Sequence, residues 1–224
     1  MHPEGESTMK AKLGIILMAL GSVLVFAALG LFLVNEREQQ QAQEAVAALM
    51  PQMAEVILDR RELPTLPSAQ PPETTVPVEM TPPAAVTEPE KTAMPVVEID
   101  GHDYIGFVGI PAKELELPVM SDWSYPQLKI APCRFSGDMY TDDLVVMAHN
   151  YDRHFGVLHE FRVGERITFT DMDGETVEYT VVALDILPPT AVEEMTAGDY
   201  DLTLFTCTYG GQSRVTVRCD RVKQ

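Results

Sequence analysis

Leu13 to Val34 carries no charged residue. At helical rise its 22 residues reach about 33 Å, enough for a bilayer core, so the run predicts a membrane-crossing helix. Lys10 and Lys12 precede it, and Glu36, Arg37 and Glu38 follow. The basic excess on the short N-terminal side keeps residues 1–12 in the cytoplasm and puts everything after the helix outside. A cleaved signal peptide has similar flanks, but this run is longer than a signal core and no small-x-small site follows it. The expected location is the cell membrane, crossed once.

Two segments of different composition come next. Residues 35–63 are rich in Glu, Gln, Ala and Arg, which favour helix. Pro51 removes a helical donor there, so two short pieces are expected rather than one rod. Pro64 to Pro95 holds nine prolines in 32 residues. Such a segment builds neither helix nor sheet and stays extended. Residues 64–96 are expected to be a linker, a spacer that lifts a C-terminal domain, 97–224, off the membrane.

That domain reads as short apolar runs divided by turn residues. Tyr104–Ile110, Leu144–Ala148, Arg166–Thr170, Thr176–Ala183, Leu202–Thr206 and Arg214–Arg218 are strand candidates, with Asp171-Met-Asp-Gly174 as a hairpin turn. Helical signal is confined to Phe155–Phe161 and Ala191–Thr196. The expected class is all-β, a barrel or sandwich. Trp123 and Tyr125 read as packing residues ahead of the central strands. The Asp-rich turn lacks the longer ligand ladder of a calcium loop, so no metal or other cofactor is expected. A formal charge of −18 excludes nucleic acid as a partner, because phosphate needs a basic face.

Three cysteines, Cys133, Cys207 and Cys219, cannot all pair within one chain. Cys207 lies where a strand gives way to the polar loop Thr208–Ser213, a place to meet substrate; a buried inert thiol is the other reading. At an ordinary thiol pKa near 8.5 it needs a neighbouring base or cation to be nucleophilic. His149 sits at the mouth of the strand Leu144–Ala148, where one ring nitrogen can serve a thiol. Arg214 opens the strand after the Cys207 loop, and a tight loop between antiparallel strands brings the two together. Period two places Arg214, Thr216 and Arg218 on one face and Val215, Val217 and Cys219 on the other, so Cys219 reads as a core thiol.

Leu202-Thr-Leu-Phe-Thr-Cys207 resembles the TLxTC signature of sortases, cysteine transpeptidases of the cell surface. Ala148-His149-Asn150 matches the family's histidine, and Ser213-Arg214-Val215 its arginine. Tyr104–Pro111, Leu115–Val119, Val163–Ile167 and the Asp-Gly hairpin fit its barrel strands, so the likeness covers about residues 97–223. It departs in having Ala148 before the histidine and only six residues between cysteine and arginine, which leaves Arg218 as a rival further along the same face. The resemblance implies a closed β-barrel of about eight strands with short helices. It implies an LPxTG-like sorting motif cut after its threonine, with Cys207 as nucleophile, His149 as acid and base, and Arg214 at the oxyanion. Thr206 orients the cysteine and touches substrate. Pro188 to Tyr200 stands where the family builds a groove wall, so Leu187, Val192 and Met195, with Ile186, either line that groove or pack inward. Its modest length fits the short-loop classes. The partners implied are a sorting-signal peptide and the amine of a peptidoglycan precursor or a pilin.

Two rivals remain. An L,D-transpeptidase-like enzyme would carry a SHGC-type block around its cysteine, and Leu-Phe-Thr stands before Cys207 instead. A non-catalytic surface interaction module accounts for the anchor but not for the His–Cys–Arg order.

Overall fold

The computed structural model describes residues 4–62 and 91–223. The chain divides into two units, Met1–Glu44 and Ala45–Gln224. Residues 4–44 of the first belong to α1 (Glu4–Glu62), whose apolar stretch is long enough to span a membrane.

The second unit contains the last turns of α1 and nine strands. These are β1 (Val97–Ile99), β2 (His102–Ile110), β3 (Leu115–Met120), β4 (Cys133–Ser136), β5 (Leu144–Met147), β6 (Arg166–Asp171), β7 (Thr176–Leu187), β8 (Leu202–Cys207) and β9 (Arg214–Arg221). Two short helices, α2 (Tyr125–Leu128) and α3 (Val192–Thr196), and a 3-10 turn at Phe155–Glu160 fill the connections. The strand order is β1-β2-β3-β4-β5-β8-β9-β7-β6, and β2 pairs with β6 as well as with β3. Strands β2 to β9 therefore form a closed barrel of eight, as expected, with β3 and β4 joined only at Met120 and Cys133.

Strand β1 is a hairpin added to β2 through Asp100-Gly101, both at positive φ, the backbone that a two-residue hairpin turn demands. Gly106 is the barrel's corner. Its φ is +149°, and an added Cβ would stand 2.0 Å from the carbonyl oxygen of Thr170. The register shifts between Tyr104 and Gly106, so β2 can bend and pair on both sides. Inside lie Ile105, Val108, Ile110, Leu117, Val146, Ile167, Phe169, Leu204, Val217 and Cys219.

Alternation put the strands where they were expected, with β7 running four residues further to Leu187. Pro51 was expected to divide the helix, yet it lies inside α1. Leu49, Met53 and Ile57 are buried on one face of α1, against Tyr104, Met120, Leu128, Cys133 and Met172 on the outside of the barrel. Burying each contributes about 1.5–3 kcal/mol, and together they outweigh the roughly 3 kcal/mol a helical proline costs. Pro51 and Ala47, whose carbonyl loses its partner, are both exposed, so water can serve that carbonyl.

Residues 64–90 of the Pro-rich linker lie outside the described residues. Their flanks meet at one carboxylate: Arg60 Nε donates to Asp173 Oδ1 at 2.8 Å and Lys91 Nζ to Asp173 Oδ2 at 3.0 Å. Arg61 donates to the carbonyl of Gly174 in the same β6–β7 turn. Arg60, Arg61 and Lys91, on either side of that segment, are thus held at the same turn.

Candidate active site

Cys207 is the last residue of β8 and half-buried. Its direct partner across the β8–β9 ladder is Arg214. The loop between them is short because it is tightly bonded. Thr208 N donates to Ser213 O at 3.0 Å, Ser213 N to Thr208 Oγ1 at 3.1 Å, and Gly211 N to Thr208 O at 2.8 Å. Gly210 and Gly211 take the left-handed backbone this reversal needs.

His149 follows β5, which runs parallel to β8 with Met147 opposite Phe205. Ala148 N donates to Phe205 O at 3.3 Å and Thr206 Oγ1 to Ala148 O at 2.8 Å. The paired register ends at Met147 and Phe205, and His149 stands two residues past the one as Cys207 stands two past the other. The three residues singled out in the sequence thus sit at the ends of three adjacent strands, at one end of the barrel.

The other thiols are placed differently. Cys133 and Cys219 are fully buried. Burial pushes the Cys133 thiol up to about 12 and raises that of Cys219 as well. Neither can form thiolate at neutral pH.

The two arginines of β9 also separate. Arg218 is 4% exposed and fully engaged. It donates to Thr203 Oγ1 at 3.1 Å and to the carbonyls of Met195 at 3.3 Å and Glu194 at 2.7 Å, pairs with Asp185 at 3.4 Å, and covers the Tyr200 ring at 5.2 Å. It pins α3 and the β7–β8 connection to the sheet. Arg214 donates from Nη1 to the carbonyls of Gly211 at 3.1 Å and Ser213 at 3.2 Å, which holds its guanidinium on the cysteine loop.

Cys207 shares the outer face of the sheet with Phe205, Met147 and Val145. Met195 of α3 is buried against Phe205 and Val145, with Leu187, Met147 and Phe135 half-buried around them. Val192, at the start of α3, is exposed, and Ile186 is 66% exposed. Thr206 is buried, with its hydroxyl committed to Ala148.

Past the strand end a cavity of about 210 Å³ opens beside Cys207, lined also by Asn150, Gly156, His159, Thr206, Thr208, Tyr209 and Val215. His159, Asn150 and Tyr209 gave no separate signal in the sequence, because the 3-10 turn and two loops bring them together. Behind His149 lies a ring stack: Tyr151 is 4.9 Å from His149 and 5.5 Å from His154. His154 is fully buried. Burial, then the neighbouring His149, lowers its pKa to about 4, so it is neutral at physiological pH.

The family model described as Sortase domain matches residues 108–222, more than half of the chain. Among solved structures, sortase C1 from Streptococcus suis is 28% identical, covers 55% of this chain and 75% of its own, and has a TM-score of 0.47. Sortase C1 from Streptococcus agalactiae is 26% identical, with coverages of 57% and 72% and a TM-score of 0.48. Sortase A from Corynebacterium diphtheriae is 23% identical, with coverages of 55% and 62% and a TM-score of 0.47. Comparison with curated proteins gives no match.

Proposed function

The chain belongs to the sortase family, and from that premise we propose that it is a membrane-anchored cysteine transpeptidase acting outside the cell. The reading is carried by the alignment of three strand ends: Cys207 opposite Arg214 on β9, and His149 two residues past the last β5–β8 pair, as Cys207 is. The substrate is a sorting peptide of the LPxTG kind. The acceptor is a primary amine on a peptidoglycan precursor or a pilin.

The Cys207 thiolate attacks the carbonyl carbon of the motif's threonine, and the carbonyl oxygen takes up the electron pair. Arg214 meets that oxyanion through donors other than the Nη1 hydrogens already given to the loop. The Thr208 amide is committed to Ser213, which makes the guanidinium the more important donor. The C–N bond then breaks, and protonated His149 gives its proton to the departing amine, leaving a thioester on Cys207. The entering amine loses a proton to His149 as it attacks the thioester, and the thiolate leaves. The amide is remade, and the imidazolium–thiolate pair is restored.

Leu187 and exposed Val192 form the wall of the peptide groove, with Met195 packed beneath it. Thr206 orients the cysteine through its bond to Ala148 and, lining the cavity beside Cys207, contacts substrate. The N-terminal apolar helix anchors the chain, its first residues in the cytoplasm.

Fluorogenic sorting peptides, incubated with and without candidate amines, test the reading. Cleavage should require Cys207 and rise with amine, whereas Cys133→Ala and Cys219→Ala should still turn over if they fold. Turnover that survives in Cys207→Ala overturns it.

A further inference from the structure

Four aromatic rings form a continuous path leading away from Cys207 over the outside of the barrel. Phe205, two residues before the cysteine on the same strand face, meets Phe135 of β4 edge to face at 5.3 Å. Phe135 lies 6.1 Å from Trp123 at a 32° tilt, and Trp123 makes a T-shaped pair with Tyr125 at 6.0 Å. Every separation falls in the range where rings attract one another. Exposure grows outward, from 3% at Phe205 to 42% at Trp123 and 74% at Tyr125. The two outer residues pack on their ring neighbours and also keep a face open to solvent. Their turn is braced: Arg134 Nε donates to Ser121 O at 2.8 Å, and Ser124 Oγ accepts from Gln127 N at 3.3 Å.

On the transpeptidase reading, we propose that this aromatic path receives the acyl side of the substrate peptide. Trp123 and Tyr125 select an aromatic or large apolar side chain just ahead of the sorting motif. Direction comes from His149. Its neighbour Asn150 lines the cavity past the strand end, together with His159 and Tyr209. The departing and entering amines must both reach the imidazole, so they occupy that side. The acyl chain then leaves Cys207 the other way, back along β8 over the apolar cluster that covers Phe205 and past half-buried Phe135.

Distance fixes which residues arrive. One two-residue strand step and two ring separations put Trp123 no more than about 18 Å from Cys207. An extended peptide covers that in about five or six residues. A motif cut after its fourth residue places those positions one or two before its start. A rigid indole with an open face holds an apolar side chain there at little cost in its own freedom.

Trp123 is the only tryptophan in the chain, so its emission reports directly on this path. The full-length Cys207→Ala protein in detergent is titrated with two tryptophan-free LPxTG peptides. One carries Phe-Phe immediately before the motif and the other Gly-Ser. The Phe-Phe peptide should shift the emission and bind about three- to tenfold tighter. In the protein with Cys207 intact, kcat/KM should favour the Phe-Phe peptide by a similar factor. Trp123→Ala should bring that preference close to one, and Tyr125→Ala at its exposed position should lower it even where the first variant folds poorly. Peptides that are cleaved with no emission response, or with a preference that survives both substitutions, overturn the path and leave the transpeptidase standing. Peptides that shift the emission but are never cleaved by the protein with Cys207 intact uphold the path and overturn the transpeptidase. Peptides neither bound nor cleaved overturn both.

Discussion

The buried hydroxyl of Thr206 donates to the carbonyl of Ala148 at 2.8 Å, joining the residue before Cys207 to the residue before His149. The bond is a crosslink between β8 and β5 at the point where both strands deliver their functional side chains. Thr206→Val keeps the shape and removes the donor, leaving a buried carbonyl short of a partner at a cost of about 1–3 kcal/mol. Tm should fall by several degrees and kcat by more than tenfold, while Thr206→Ser should recover most of both. A lower Tm with unchanged kcat would show that the bond serves the barrel alone.

Arg214 and Arg218 share a strand face but should fail differently. Arg214 is bonded to the carbonyls of its own loop, so Arg214→Ala should move Tm little while lowering kcat by about 10²–10³-fold, the cost of one oxyanion donor. Arg214→Lys keeps the charge but loses the planar fork, and should recover only part. Arg218→Ala leaves buried Thr203 and two carbonyls without their donor, and should destabilise by about 3 kcal/mol. Thermal melts and peptide kinetics on the same samples separate the two. A large activity loss at Arg218 with intact stability would move the oxyanion role there.

His154 predicts an acid limit on stability. Its pKa is about 4 in the folded protein, against about 6.5 for an unperturbed imidazole. Between these values the unfolded chain binds the proton and the folded chain does not, so stability falls as pH falls. The loss begins near pH 6.5, reaches its full value near pH 4, and amounts to about 3 kcal/mol. His154→Phe should flatten that part of the Tm-against-pH curve. An unchanged slope in this variant would place the acid sensitivity elsewhere.

Most of the barrel was legible because its strands alternate and end at glycine, proline or aspartate turns. Strand β4 was not, since Cys133-Arg-Phe-Ser136 is four residues long and its Phe135 lies at a register shift rather than in simple alternation. Strand β1 was overlooked although Asp100-Gly101 is a strong local hairpin signal, because three residues are too few to show a period. Cys207, His149 and Arg214 were legible because each stands where a strand meets a loop, and strand ends converge at the ends of a barrel. His159 and Tyr209 beside the same cavity were not, because nothing local relates a 3-10 turn to the loop after β8. The fate of Pro51 was decided by a tertiary surface: the apolar stripe Leu49, Met53, Ile57 is helical in period, but only the barrel face it covers makes the helix outlast its proline.

That covered face carries the last prediction. Met53 is fully buried between α1 and the barrel. Met53→Asp places a carboxylate among apolar side chains, and should detach this end of the helix rather than ionise in place. Residues 45–62 should then become open to proteolysis, and Tm should drop, since losing a buried Met side chain alone costs about 2–5 kcal/mol. Peptide turnover should nevertheless stay within about twofold below the new Tm. The helix is tied at the Asp173 turn, and β7 runs from there to Leu187 opposite Arg214, on the order of 30 Å along the strand. Loss of turnover in parallel with helix release, in protein whose barrel still melts cooperatively, would show instead that the docked helix controls the distant cysteine.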